Sequence, residues 1–458
     1  MRDFTTGSVL KHVIAFSMPL IASNVLVSGY SFISMIFVGR MIGSDAIAAV
    51  SSSMPIIMLF PSLLIGLASA AGIIVSQAYG AKDMPLVRSA IANSFISLLV
   101  LCVLLSLAGF LLRDILLAAV NAPVNIRPMA SQYLAVVFIG MVFQFFFNWI
   151  AGMLRGLGDA VTPFYIIAVS TVLNIALVPI FIGVAHLGVS GAAWAMVVAN
   201  FVSCIGGYFY IIRRNAIFDI RTWRLNPDMK LIGRIFFVGI PASLQMIITA
   251  LSGIFILSLV NRFGSDVTAA FGLGMQIDQI AFFPAMTIGI AVTTMTGQNI
   301  GAGKLERVRS IMRVSMVLSL AISAVLALVV MMFPVALGSL FLKQSAASSA
   351  VLSHLSGYYR YIGFVYLFIA VMFTIQGVVR GSGDTIPLLI LAFIALIALR
   401  IPLAAKLSES PAFGENGIWI GILISAAVAA LISYIYYKIG RWKKVKLVPA
   451  TAYQAPAE

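Results

Sequence analysis

Charge is scarce in this sequence. Only 9% of its 458 residues are Asp, Glu, Lys or Arg, against about 25% in soluble domains. Hydrophobic residues make up 62%. A water-soluble globule cannot hide that much apolar surface, so the chain is read as an integral membrane protein. Cysteine is nearly missing too: Cys102 and Cys204 both lie in apolar runs, which excludes a disulfide framework and a zinc site. The three histidines, His12, His186 and His354, are scattered at span ends. No Ser/His/Asp set and no metal cluster can be assembled from them, so the reading is a non-enzyme with no metal and no cofactor beyond a transported ion.

What the chain has in abundance is long apolar runs. Twelve are long enough to cross a bilayer as helices, the first at about 12–37 and the last at about 417–438. The first is too long for a signal-peptide core and is read as a retained span. Net charge is +15, and its placement is topological. If the spans alternate, 21 of the 29 Lys and Arg residues fall on the side that holds both termini. The positive-inside bias then puts both termini in the cytoplasm. The basic residues lie between apolar spans, so nucleic acid is not the expected partner; the bilayer is.

The chain also repeats itself. Gln77-Ala-Tyr-Gly-Ala-Lys is echoed by Gln298-Asn-Ile-Gly-Ala-Gly and Gly43-Ser-Asp-Ala by Gly264-Ser-Asp-Val, both 221 residues on. Arg155-Gly-Leu-Gly-Asp returns as Arg380-Gly-Ser-Gly-Asp after 225 residues, and Pro19 as Pro241 after 222. The fold class is therefore all-α and membrane-embedded, with twelve transmembrane helices in two pseudo-symmetric six-helix lobes. The expected layout is an N-lobe over 1–215, a basic cytoplasmic linker over 216–231, a C-lobe over 232–446 and a disordered tail over 447–458. Parallel six-helix repeats are an architecture of alternating-access transporters. The Gly-x-Gly-Asp segments lack the preceding strand and the Lys of a phosphate loop, so they read as tight turns with Asp capping the next helix, and direct ATP drive is not expected.

Of the fourteen acids, only Asp278 lies well inside a span. An acid in hydrocarbon faces a cavity or a partner and is a functional candidate by default. Burial disfavours a fixed charge, which suits a site that takes up and releases a proton or cation. Gly274 and Phe282 share its helix face, and Gln276 and Gln279 are polar neighbours. Pro19, Pro241 and Pro284 each remove a helical hydrogen bond and are candidate bends. Intramembrane polar groups at Asn24, Ser34, Asn174, Asn200, Gln245 and Thr249 are candidates, with Gln276, Gln279 and Phe282, for lining a substrate cavity. Arg400, near the outer end of span eleven, either snorkels to headgroups or pairs with an acid.

Taken together, Pro19-Leu-Ile, Phe37-Val-Gly-Arg, Gln77 with Gly80-Ala, Gly191-Ala-Ala, Gly297-Gln-Asn-Ile-Gly-Ala-Gly and the two Arg-Gly-x-Gly-Asp turns resemble the multidrug and toxic compound extrusion family. Asp278-Gln-Ile-Ala-Phe-Phe-Pro and Arg400-Ile-Pro-Leu-Ala look most like its bacterial DinF-like branch. The resemblance implies an exporter in the bacterial inner membrane, and a monomer is the expected state. It would move cationic or amphipathic small molecules out in exchange for H⁺ or Na⁺. A lipid or lipid-linked-sugar flippase of the same superfamily is the alternative. The chain departs from the pattern at the usual cation sites: Ser34 and Val178 stand where that branch carries acids, and Gln245 to Thr249 and Val365 to Gly377 contain none. Coupling is therefore expected at Asp278, in the C-lobe.

Overall fold

A computed structural model describes residues 2–120, 122–214, 218, 227–341, 346–445 and 447–448. Among them there is no strand. Twelve helices are long and apolar enough to cross a membrane. They are α1 (Val9–Met41), α2 (Asp45–Gly80), α3 (Met84–Ala119), α4 (Arg127–Gly156), α5 (Val161–Val184), α6 (Gly188–Arg213), α7 (Met229–Phe263), α8 (Ser265–Gly301), α9 (Leu305–Met332), α10 (Ser349–Ser382), α11 (Ile386–Glu409) and α12 (Asn416–Ile439). Most run past the apolar cores that the sequence marks, because polar ends continue the helix beyond the hydrocarbon. Of the proposed linker, 216–217 and 219–226 lie outside the described residues, and its end, Met229–Leu231, already belongs to α7.

Contacts divide the chain into two compact units. One comprises Met1–Asp3 and Met18–Ser243; the other comprises Phe4–Ser17 and Leu244–Glu458. The change of unit falls inside α1 and α7, within three residues of Pro19 and of Pro241. Both helices run unbroken through their prolines.

The two units are assembled by one plan. In the first, α4 packs on α2, α3 and α6, and α5 packs on α6; in the second, α10 packs on α8, α9 and α12, and α11 on α12. The closest helix pairs are made by glycine. A Cβ on Gly152 would lie 3.2 Å from the Ala68 carbonyl oxygen, and one on Gly156 would lie 2.6 Å from that of Gly72. In the other unit, a Cβ on Gly377 would meet the Gly289 oxygen at 2.6 Å and one on Gly381 the Thr293 oxygen at 2.4 Å. These pairs are related by the same 221- and 225-residue offsets as the sequence motifs. Small residues four apart let backbones approach where lipid supplies no hydrophobic drive. The turns repeat as well. Gly43 and Gly264 have φ of 117° and 97°, and Gly158 and Gly383 have 82° and 91°, a region that favours glycine.

Asp159 caps α5 as the turn pattern predicts: its carboxylate accepts from the Val161 and Thr162 amides, both at 3.0 Å, and from the Thr162 hydroxyl. Asp384 does something else. Its carboxylate accepts from the Tyr436 hydroxyl on α12, which ties the turn sideways to a neighbouring helix. The tail expectation also needs correcting at its start. Leu447 and Val448 are buried, because Leu447 packs over Gly383 and covers this turn. Residues 449–458 lie outside the described residues.

The Gly297-Gln-Asn motif has a structural role in the second unit. The Gln298 side-chain oxygen accepts from the Phe4 amide at 3.0 Å, and Asn299 donates to the Phe4 carbonyl at 3.2 Å. Arg307 donates to the carbonyls of Phe4, Thr6 and Gly7, and Lys304 to that of Thr5. Phe4 is fully buried, with its ring edge-on to Phe16.

Gly377→Ala is expected to destabilise the detergent-solubilised protein by about 1–3 kcal/mol, since its new methyl meets backbone that cannot swing aside. Gly253→Ala on α7, where a Cβ meets nothing within 4 Å, is expected to be neutral or stabilising. Thermal unfolding of the two variants beside wild type checks the pair.

Candidate coupling site

Asp278 sits in the middle of α8, one of the two most enclosed spans together with α10. It is 6% exposed. Its partners come from α10. The Tyr366 hydroxyl donates to one carboxylate oxygen at 2.6 Å, and the Tyr358 hydroxyl donates to the other. Both tyrosines are buried. They lie eight residues apart, a spacing that keeps them on one stripe of a helix. No Lys, Arg or His pairs with Asp278 among the described residues. An isolated charge taken out of water is costly, and hydrogen bonds to charged groups return only about 1.5–3 kcal/mol each. Two phenols therefore hold the carboxylate in place without a counter-ion.

The surroundings explain why the tyrosines stand where they do. Gly274, one turn before Asp278, admits the Tyr358 ring; a Cβ there would be 2.6 Å from its Cε1. The neighbouring Tyr359 hydroxyl donates to the Gly274 carbonyl at 3.3 Å. Trp419 of α12 stands edge-on to Tyr358 at 4.9 Å and stacks on Phe271. Phe282 stands edge-on to Tyr366 at 5.0 Å. Arg400 points to α12, where its Nε donates to the Ser425 hydroxyl at 2.8 Å; no acid pairs with it among the described residues. It follows a wide helical turn over Phe393–Leu399, whose Leu396 carbonyl accepts from Ser252 of α7 at 3.0 Å. Wide turns of this kind recur at functional sites.

The other sequence candidates divide. Phe282 joins the Asp278 cluster. Gln276 and Gln279 are exposed and take no part in it, because on a helix they project away from the face that Asp278 shares with Gly274. Gln245 belongs to a second polar group: it accepts from Arg380 at 2.9 Å and donates to Gln376 at 3.1 Å. Thr249 is exposed and bonds back to the Gln245 carbonyl. Asn200 accepts from Ser170 at 2.9 Å, while Asn174 is buried with its side-chain oxygen unpartnered. Asn24 and Ser34 are half-buried on α1, and Pro284 is a half-buried residue within an unbroken α8.

The first unit holds an apolar copy of the same arrangement. At the helix offsets set by the repeat, Ile57 answers Asp278, Tyr133 answers Tyr358, Trp194 answers Trp419 and Asn200 answers Ser425. Ile57, Tyr133 and Trp194 pack on one cluster of buried Val136, Val137, Ala193 and Val197. Val178, at a position where the family resemblance expects an acid, is fully buried among Val38, Val50 and Ile182. Only the second unit carries the carboxylate. Tyr358 and Tyr366 were not singled out from sequence. The signal was present in their spacing and in the Tyr133 match, but tyrosine is common in membrane proteins and nothing local marks it as a donor.

Six spans built twice on one plan, with a carboxylate enclosed inside a span of the second half, define a membrane transporter. The MatE family pattern matches residues 19–180 and 241–405. The probable multidrug resistance protein YpnP of Bacillus subtilis is 36% identical over 97% of this chain and 98% of its own. The probable multidrug resistance protein NorM of Thermotoga maritima is 27% identical over 95% and 94%. An outward-facing multidrug resistance MATE transporter structure superimposes with a TM-score of 0.90 at 23% identity, covering 97% and 98% of the two chains. This chain belongs to the MatE family, the multidrug and toxic compound extrusion transporters.

Gly274→Ala is expected to push Tyr358 off Asp278 and destabilise the protein by about 1–3 kcal/mol. Combining it with Tyr358→Ala removes the clash, so the double variant is less destabilised than the two single changes added together. Thermal unfolding of the three variants measures that coupling.

Proposed function

We propose that this protein exports cationic or amphipathic small molecules across the bacterial plasma membrane in exchange for a cation, with Asp278 as the coupling group. The observation that carries the proposal is a carboxylate buried in a membrane span and held by two phenols, with no cation beside it. Such a group exchanges its charge partner without breaking an ion pair. A proton suits it better than Na⁺, which prefers several oxygen ligands, and here each phenol already engages one carboxylate oxygen. A coupling ion can bias transport only by binding one state better than another. Asp278 sits between α8 and α10, so its loading acts on that helix contact directly.

The resistance-related names of the relatives favour this reading over the flippase alternative. A carrier of phosphorylated lipid would need intramembrane cations turned to its phosphate, whereas Arg400 donates to Ser425 and Arg380 to Gln245. The relatives are transporters, in keeping with a chain that performs no catalysis, and the positive-inside bias of its Lys and Arg residues supports cytoplasmic termini.

Dye efflux from proteoliposomes tests the proposal under an imposed pH gradient, a Na⁺ gradient, or neither. Wild type is expected to follow the pH gradient, and Asp278→Asn to run at the rate seen with no gradient. Full gradient-driven efflux by Asp278→Asn, with an unchanged pH profile, would refute it. Tyr366→Phe keeps the carboxylate but loses one donor. Its expected signature is retained coupling with the pH midpoint moved by about one unit.

A further inference from the structure

The second unit has a groove away from Asp278, at the end of the bundle that carries the basic residues. It is about 270 Å³ in volume and runs between α10, α11 and α12, room for part of an acyl chain and short of a whole drug-sized ligand. Its walls are apolar: Val379, Leu388, Leu391, Ile394 and Ile432 among others. Side chains of the same α11 and α12 segments, Ile390, Phe393 and Ile435, are exposed. On a membrane-spanning surface, that exposure faces hydrocarbon.

The mouth is cationic. Arg441 lines the groove. The ion pairs among the described residues are Arg113 with Asp114, Arg309 with Glu306, and His354 with Glu415, so no carboxylate neutralises Arg441. Asp384, the nearby acid, accepts from the Tyr436 hydroxyl and makes no ion pair with Arg441 among the described residues. Lys438, Lys443 and Lys444 add charge of the same sign around it.

This cationic rim is built and held. Gly440, at φ 76°, ends α12 and turns the chain into a short 3₁₀ helix, Arg441–Lys444. Trp442 is fully buried, stacks on Tyr437 at 5.5 Å and donates to the Tyr437 carbonyl at 3.0 Å. Arg441 is thereby fixed over the groove. A frayed helix end would leave it free to wander.

We propose that this groove binds an anionic phospholipid of the membrane leaflet on the basic side. One acyl chain lies along α11 and α12, and the headgroup phosphate meets Arg441. Charge sign favours this occupant: Arg441 is the charged residue of the groove's lining, and it attracts a phosphate and repels a cationic drug. The site also touches the end of α10, because Tyr436 joins the groove wall to the Arg380-Gly-Ser-Gly-Asp turn between α10 and α11. Occupancy therefore braces α10, the helix that carries Tyr358 and Tyr366.

The test is lipid retention by the full chain, delipidated and then titrated with phosphatidylglycerol, phosphatidylethanolamine or phosphatidylcholine, read by native mass spectrometry. Wild type is expected to retain phosphatidylglycerol in preference to both zwitterionic lipids. Arg441→Gln is expected to lower that retention about fivefold, the usual weight of one basic side chain at an anionic surface. Ile394→Trp fills the groove without changing charge and is expected to lower it comparably. Lys406→Gln, exposed at the opposite end of α11, is expected to change nothing. Size-exclusion profiles confirm that each variant is folded before titration. Equal retention of the three lipids, or wild-type retention by Arg441→Gln, would overturn the proposal. So would an undiminished signal in Ile394→Trp, because attraction to the basic surface alone would then suffice. None of these readings depends on transport, so they leave the role of Asp278 untouched.

Discussion

The structure depends on how closely α4 can approach α2, and α10 can approach α8. In lipid, two apolar helices gain nothing by hiding from water, so association rests on packing and on the few polar contacts. Glycines four residues apart on α4 and α10 let these pairs meet backbone to backbone. The remaining spans are arranged around them: α3 and α6 on α4, α9 and α12 on α10. Because the same contact occurs twice at fixed sequence offsets, the duplication is visible as geometry as well as in motifs.

That close approach is also what makes the site possible. Asp278 and its tyrosines lie across the α8–α10 contact, on the two spans with the most enclosed surfaces. A phenol reaches a carboxylate without water between them only where the helices are held this near, and Gly274 provides the last gap. The first unit shows the same scaffold with the polar group left out. Ile57 stands for the acid, and Tyr133 packs against valines. One duplicated frame thus encloses a carboxylate in one half and apolar side chains at the matching place in the other.

Much of this was legible in the sequence. The twelve spans follow from apolar length alone, and the repeat from motifs that recur at nearly one offset. Asp278 stood out because an acid in a span is so rare. Less legible was what surrounds it. Gln276 and Gln279 looked like partners by proximity in sequence, but a helix turns them to another face. The true partners lie 80 and 88 residues away, and no local pattern links them to the acid. Gly297-Gln-Asn carried the family resemblance without disclosing its task, because the backbone it binds lies nearly 300 residues earlier. Leu447 and Val448 looked like tail because their neighbours are polar, yet two apolar side chains were enough to cover the Gly383 turn.

The N-terminal segment imposes an order on how the protein is made. Phe4 to Gly7 emerge from the ribosome long before their binding surface, which is formed by Gln298, Asn299, Lys304 and Arg307. The Phe4–Gln298 contact spans 294 residues. At ordinary synthesis rates the segment waits roughly 15 to 60 s for its partner to be translated. During that interval the start of α1 has no lasting place, and the first half of the protein is inserted without the residues that will finally hold its leading helix. Completion of the second half, rather than insertion of the first, is therefore the event that locks the beginning of the chain.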